Sequence, residues 1–172
     1  LPRSTWGTAF AHAGLGVALL GIVCETTWNS ELISTLHPGD VRNLAGYEIK
    51  FDGMTQRRGP NFSEVVSTFV ISEDGRQLSV MTPSKRSFTT RGMSTTEAAL
   101  MTRGVSQLYV SLGDTTPDGG LAVRIYHKPL VLLIWFGPVL MAFGGLLSLS
   151  DRRLRVGAPR PARALRGLQA AE

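Results

Sequence analysis

The sequence predicts a membrane protein of the α+β class, with two transmembrane helices flanking a small all-β domain of barrel (OB-like) or sandwich type. Three observations predict it. Two long uncharged apolar runs lie near the two ends of the chain. The segment between them alternates apolar and polar residues in short stretches broken by turn residues. The arginine excess falls directly after the second apolar run, where a cytoplasmic flank belongs.

The first run covers residues 6–23, WGTAFAHAGLGVALLGIV, without a carboxylate, Lys or Arg. That is about the length that crosses a hydrocarbon core. The second covers residues 129–149, PLVLLIWFGPVLMAFGGLLSL, and stops at Asp151-Arg152-Arg153. Core helices of a soluble protein are the alternative for each run. Two such runs at the ends of a short chain, one stopped by arginines, favour the membrane. A signal peptide is the other alternative for residues 6–23, but no small-residue cleavage pattern follows Val23. The chain begins with Leu, so its true start is expected upstream. Gly7, Gly14, Gly16 and Gly21 on the first helix, and Gly137, Gly144 and Gly145 on the second, leave small surfaces for close helix packing. Pro138 removes a donor in mid-helix and is expected to kink it.

Residues 24–128 form the β-domain. Tyr47-Glu48-Ile49-Lys50-Phe51 alternates. Residues 65–72 and 77–81 form a hairpin across Glu73-Asp74-Gly75-Arg76. Ser87-Phe88-Thr89 is a further short strand, and residues 107–112 and 121–126 alternate across a turn at 115–120. Residues 95–101, with Ser94 or Thr95 as a cap, read as one helical turn.

Composition excludes several classes. Of 172 residues, 43% are apolar, too many for a disordered chain. One Cys closes no internal disulfide, and His12, Cys24, His37 and His127 are too scattered for structural zinc. The net charge of +5 does not mark a nucleic-acid binder. Residues 24–128 carry eleven basic and eleven acidic side chains; the excess is Arg3 and the six arginines at 152, 153, 155, 160, 163 and 166. Arginine asymmetry places residues 150–172 as a basic cytoplasmic tail, residues 1–5 as a flank on the same side, and the β-domain outside. The β-domain shows no catalytic motif and no phosphate loop. The loop Arg57-Arg58-Gly59-Pro60-Asn61-Phe62 is either a solvated loop or a partner-facing one.

His12 is the most informative residue, because an ionisable group inside a span is costly and faces a partner or cofactor. It shares a helix face with Thr8, Ala9, Gly16 and Leu19. Gly16, one turn on, gives room for a flat macrocycle, and axial haem ligation fits that pair. A hydrogen bond to a neighbouring helix and a proton path remain alternatives. His37 lies in a turn and reads as surface; His127 sits at the membrane edge.

Several motifs in fixed order resemble the CcmF family of cytochrome c-type biogenesis proteins: Trp6-Gly7, His12, Gly14-Leu15 and Gly21-Ile22; Gly59-Pro60-Asn61; MSTTEAA at 93–99; LYVSLG at 108–113; AVRIY at 122–126 with Lys128-Pro129; Ile134-Trp135; and GGLLSLSDRR at 144–153. The resemblance covers nearly all of the chain up to Arg155 and implies the C-terminal portion of a longer protein. It implies a bacterial inner-membrane, multi-pass haem lyase (holocytochrome c synthetase) subunit with its β-domain in the periplasm. Such a subunit takes haem from the chaperone CcmE, works with CcmH-type proteins, and supports haem reduction and attachment to apocytochrome c. It further implies a transmembrane haem b with His12 as one axial ligand to the iron, Gly16 allowing close approach, and no catalytic residue within this stretch. The remaining transmembrane helices of the parent protein are implied partners, and the fragment alone is expected to be inactive. Two other classes stay open at this point: a membrane-anchored docking module, and a haem-export transporter subunit.

Overall fold

The computed structural model describes residues 2–88 and 92–151. The basic tail expected at 150–172 lies outside the described residues from Arg152 onward, as does Thr89 of the short strand expected at 87–89. The described residues divide into two compact units: residues up to 16 with those from 136 to 151, and residues between 17 and 135.

The first unit is helical. Helix α1 spans Arg3–Trp28 and helix α2 spans Leu133–Leu149, and each runs on into the second unit. Their segments in the first unit pack antiparallel through glycine. A Cβ placed on Gly7 would lie 2.6 Å from the Gly144 carbonyl oxygen, and one on Gly14 would lie 2.6 Å from that of Gly137. The backbones touch where side chains would otherwise stand, which is the contact small residues permit between apolar helices. Phe10 and Phe143 meet edge to face at 5.5 Å. The Ser4 amide donates to Asp151 Oδ2 at 3.0 Å, so a carboxylate caps one of the free N–H groups at the start of α1.

Both helices depart from the expected 6–23 and 129–149. Helix α1 continues through Cys24, Glu25 and Thr26 to Trp28. Thr26 Oγ1 donates to the Ile22 and Val23 carbonyls, and Glu25 Oε1 accepts from Lys128 Nζ. Helix α2 starts four residues later than expected. Leu130 takes φ 60° and the Leu132 amide donates to the Val105 carbonyl, so residues 129–132 turn the chain. Helix α1, 26 residues long, has the length and apolar composition to cross a membrane; α2 is a shorter apolar helix of 17 residues.

The described residues of the second unit contain a two-sheet sandwich of ten strands: β1 (Ser30–Leu36), β2 (Val41–Leu44), β3 (Tyr47–Arg58), β4 (Phe62–Glu73), β5 (Arg76–Met81), β6 (Ser84–Phe88), β7 (Met93–Glu97), β8 (Ala99–Arg103), β9 (Ser106–Thr115) and β10 (Leu121–Lys128). One sheet has the order β1-β10-β9-β8. The other runs β2-β3-β4-β6-β7, with β5 also on β4. The barrel or OB form expected beside the sandwich is therefore not what forms: the strands divide between two sheets, and the inner faces of both supply one core. Leu36, Ile49, Phe51, Phe69, Ile71, Leu108, Val110 and Ile125 are buried in it, with the Phe51 and Phe69 rings stacked at 5.0 Å.

The hairpin at 73–76 forms as expected. Asp74 and Gly75 both take positive φ, 50° and 74°, the two-residue turn that matches strand twist. Strand β4 serves two partners along one edge: residues 62–66 pair with β6 and residues 69–73 with β5. Thr82 and the buried Pro83 interrupt what would otherwise be one strand, and the Pro83 carbonyl accepts from the Ser67 amide at 3.0 Å. The helical turn expected at 95–101 is two strands, β7 and β8, split at Ala98. Alternate residues Ala99 and Met101 pack on the core, so the period there is two and the helix-forming Ala-Ala-Leu-Met run is overridden.

Candidate functional site

His12 lies on the face of α1 turned away from the glycine contacts. At about 100° per residue it sits roughly 160° around the helix from the line through Gly7, Gly14 and Gly21. Its side chain is exposed, and its Nδ1 donates to the Thr8 carbonyl oxygen at 2.8 Å. Thr8 Oγ1 in turn donates to the Ser4 carbonyl at 3.0 Å. Gly16 is on the same face, and a Cβ there would meet nothing within 4 Å. Leu15 and Leu19 flank the row and are half exposed. The structure thus keeps His12 and Gly16 together, one turn apart, on an open surface.

The other histidines stand elsewhere. His37 occupies the turn after β1; its Nε2 is 3.2 Å from Asp118 Oδ2 in the loop between β9 and β10, and its amide donates to Asp40. The Asp118 carboxyl is held below its ordinary value by a Thr116 hydroxyl and its own backbone, with His37 adding to the effect. His127 is half buried beside the Tyr47 ring at 5.8 Å, and burial pushes its imidazole down. Among the described residues, no three or more His, Cys, Asp or Glu side chains gather as a metal site.

The loop expected at 57–62 narrows to residues 59–61, because Arg57 and Arg58 pair with Glu64 and Ser63 at the end of β3 and Phe62 opens β4; it closes the long β3–β4 hairpin. The Gly59 amide donates to the Phe62 carbonyl at 2.8 Å, and the Phe62 ring packs on Gly59 where a Cβ would stand. Arg86 covers the Phe62 ring at 5.0 Å and bridges two carboxylates, Glu64 at 2.9 Å and Glu97 at 2.6 Å. Ser84 donates to Glu64 at 2.7 Å. That hydroxyl, then Arg86, holds the largely buried Glu64 carboxyl below the ordinary range. Glu97 of the MSTTEAA motif thereby joins an ion-pair network with Arg86 and Glu64 on neighbouring strands, and the Phe62 ring under Arg86 packs on Gly59 of the Gly-Pro-Asn loop, a connection that requires the β4–β6–β7 register and is invisible in sequence. The Glu25–Lys128 pair, at 2.5 Å, ties the end of α1 to β10.

The family model described as "CcmF C-terminal beta-sandwich" matches residues 27–129. The chain belongs to the CcmF family. It is 73% identical over its whole length to the "Cytochrome c-type biogenesis protein CycK" of Bradyrhizobium diazoefficiens, of which it covers 26%. It is 52% identical over 163 residues to the protein of the same name from Rhizobium meliloti, covering 24% of it. The chain therefore spans about a quarter of the length of these relatives. A solved structure titled "Cytochrome c Heme Lyase CcmF" superposes with a TM-score of 0.71 over 86% of this chain and 25% of that one. At 18% identity that likeness establishes the shared fold.

The residues on the α1 face fit a haem site in which the His12 imidazole would hold the group. His12 Nε2 has no partner among the described residues, the ring is open to the surroundings, and Gly16 places no side chain beside it.

Proposed function

We propose that this chain is the C-terminal part of a membrane haem lyase of cytochrome c maturation. In this reading α1 and α2 both cross the bacterial inner membrane, the sandwich stands in the periplasm, and residues 150–172 are cytoplasmic. Trp6 and Trp28, both exposed, are 22 residues apart on α1. That is about 33 Å of helix, close to the roughly 30 Å hydrocarbon core, with an aromatic ring at each boundary. Haem arrives from the periplasmic chaperone CcmE, CcmH-type proteins present the apocytochrome, and thioether bonds form on the periplasmic side.

The observation that carries the reading is His12: an ionisable side chain on the open face of a span-length apolar helix, one turn from a glycine with empty space above it. When bound there, a haem b supplies one-electron transfer that keeps the haem awaiting attachment reduced. The chain's own contribution is to offer the imidazole, orient its ring, leave room at Gly16 and keep the site within an apolar span. The rest of the parent protein would supply the further helices that complete the pocket. The outer face of α1 carries Thr8, His12 and Gly16 among exposed apolar side chains such as Leu15 and Leu19, whereas the outer face of α2 shows Trp135, Val139 and Leu146 with no polar side chain among them.

The test is the reduced-minus-oxidised optical spectrum of the full-length protein with and without His12→Ala. A b-type signal lost in the variant, together with lost assembly of c-type cytochromes, is the expected result. A signal that survives intact returns His12 to helix packing.

A further inference from the structure

We propose that the Thr8 backbone carbonyl is a positioning group for His12: it fixes the imidazole as the Nδ1–H tautomer and presents Nε2 as the iron-binding atom. The inference rests on the reading of His12 as an iron ligand and deepens it.

A carbonyl oxygen can only accept. The 2.8 Å contact between His12 Nδ1 and the Thr8 oxygen therefore requires the proton to be on Nδ1. In the neutral ring the lone pair is then on Nε2, which no described group engages. Thr8 and His12 are four residues apart on one helix, so the bond runs along α1 and holds the ring in a fixed rotamer. The Thr8 hydroxyl is occupied with the Ser4 carbonyl and does not compete for the imidazole. This is the arrangement that orients metal-binding histidines in general: the remote N–H is given to a carbonyl, the tautomer is fixed, and the ligating nitrogen becomes a stronger donor. Here the orienting group is one turn away in the same helix, so the site needs no other chain to aim this ligand. A more electron-rich imidazole stabilises ferric over ferrous iron, so the bond lowers the midpoint potential of the bound haem.

The experiment uses the full-length protein carrying His12→Gly, supplemented with free imidazole, 4-methylimidazole or 1-methylimidazole. Imidazole and 4-methylimidazole retain an N–H to give to the Thr8 oxygen; 1-methylimidazole binds iron but has none, and 4-methylimidazole controls for its size. The expected result is a b-type spectrum restored by the first two, with 1-methylimidazole binding about fivefold more weakly, the worth of one ordinary hydrogen bond, and raising the midpoint potential. Equal affinity and equal potential for the three ligands would overturn the positioning role while leaving ligation intact. Parental haem in His12→Gly without any added ligand would overturn ligation itself. Should no ligand restore the spectrum, nitrogen-15 NMR of the haem-free full-length protein decides, with the His12 signals assigned by their loss in His12→Asn. A protonated, pyrrole-type Nδ1 supports the proposal; a protonated Nε2 overturns it.

Discussion

The helical unit and the sandwich reach close packing by opposite means. In the helical unit the closest contacts are made by missing side chains: Gly7 against Gly144, and Gly14 against Gly137, with backbone on backbone. In the sandwich they are made by the largest side chains available, Phe51 on Phe69 with Leu and Ile residues of both sheets around them. The difference teaches where tolerance lies. A surface of absent side chains fails when anything is added, and a surface of interdigitated side chains fails when something is taken away. The open face of α1 follows neither rule, because Gly16 has empty space above it.

The largest effect is expected from Gly144→Leu. Its Cβ would sit 2.5 Å from the Gly7 carbonyl oxygen and 2.6 Å from the Ala11 amide, and backbone cannot move aside cheaply. Cross-linking between cysteines placed at 10 and 143 should be lost, while the β-sheet circular dichroism persists. Gly16→Leu is the matched control: cross-linking should be unchanged, and the b-type spectrum should fall if Gly16 gives room to a macrocycle. Survival of the cross-link in Gly144→Leu would break the comparison at its root.

Next in size is Phe69→Ala, which removes a fully buried ring from the sandwich. It should cost about 3–5 kcal/mol, read as a fall in the thermal midpoint of the sheet signal.

A smaller effect attaches to Glu64. Ser84 and Arg86 lower its carboxyl below the ordinary 4.5, so the folded state favours the ionised form. That contribution is fully present above the unfolded value and is lost as pH falls through the depressed one. Glu64→Gln should therefore lower stability at neutral pH and flatten its decline between neutral and strongly acid pH. An acid limb as steep as the parent's would remove the Ser84–Arg86 network as its source.

The smallest effect is Ser67→Ala. The Ser67 hydroxyl is buried with no hydrogen-bond partner among the described residues, so its removal should leave the thermal midpoint unchanged or slightly raised. A clear loss of stability would show that the hydroxyl has a partner in solution.

What was legible in the sequence follows from the range of the signals. Helix α1 and the Asp74-Gly75 hairpin are written in local patterns, an uncharged run and a turn pair, and both form. His12 stood out because a titratable group in an apolar run is conspicuous wherever it points. The sequence was silent where the deciding contact is distant. The Asp151 cap on α1 joins residues 147 apart. The Glu64–Arg86–Glu97 bridge depends on three strands in register. Strands β1 and β2 carry weak signals because β1 mixes Leu with Ser and Thr, β2 is only four residues long, and Ile33 and Val41 are left exposed. At β7 and β8 the local preference pointed the wrong way, and only the core contacts of Ala99 and Met101 decide it.

The pairing of β1 with β10 has a consequence for ancestry and engineering. Ser30 stands opposite His127 and Leu36 opposite Leu121, so the first and last strands of the sandwich are neighbours and the chain enters and leaves through one edge. A domain whose two ends lie side by side can be grafted into, or excised from, a host polypeptide with a short splice. The strands at residues 30–128 therefore offer two splice points that face each other across one antiparallel pair.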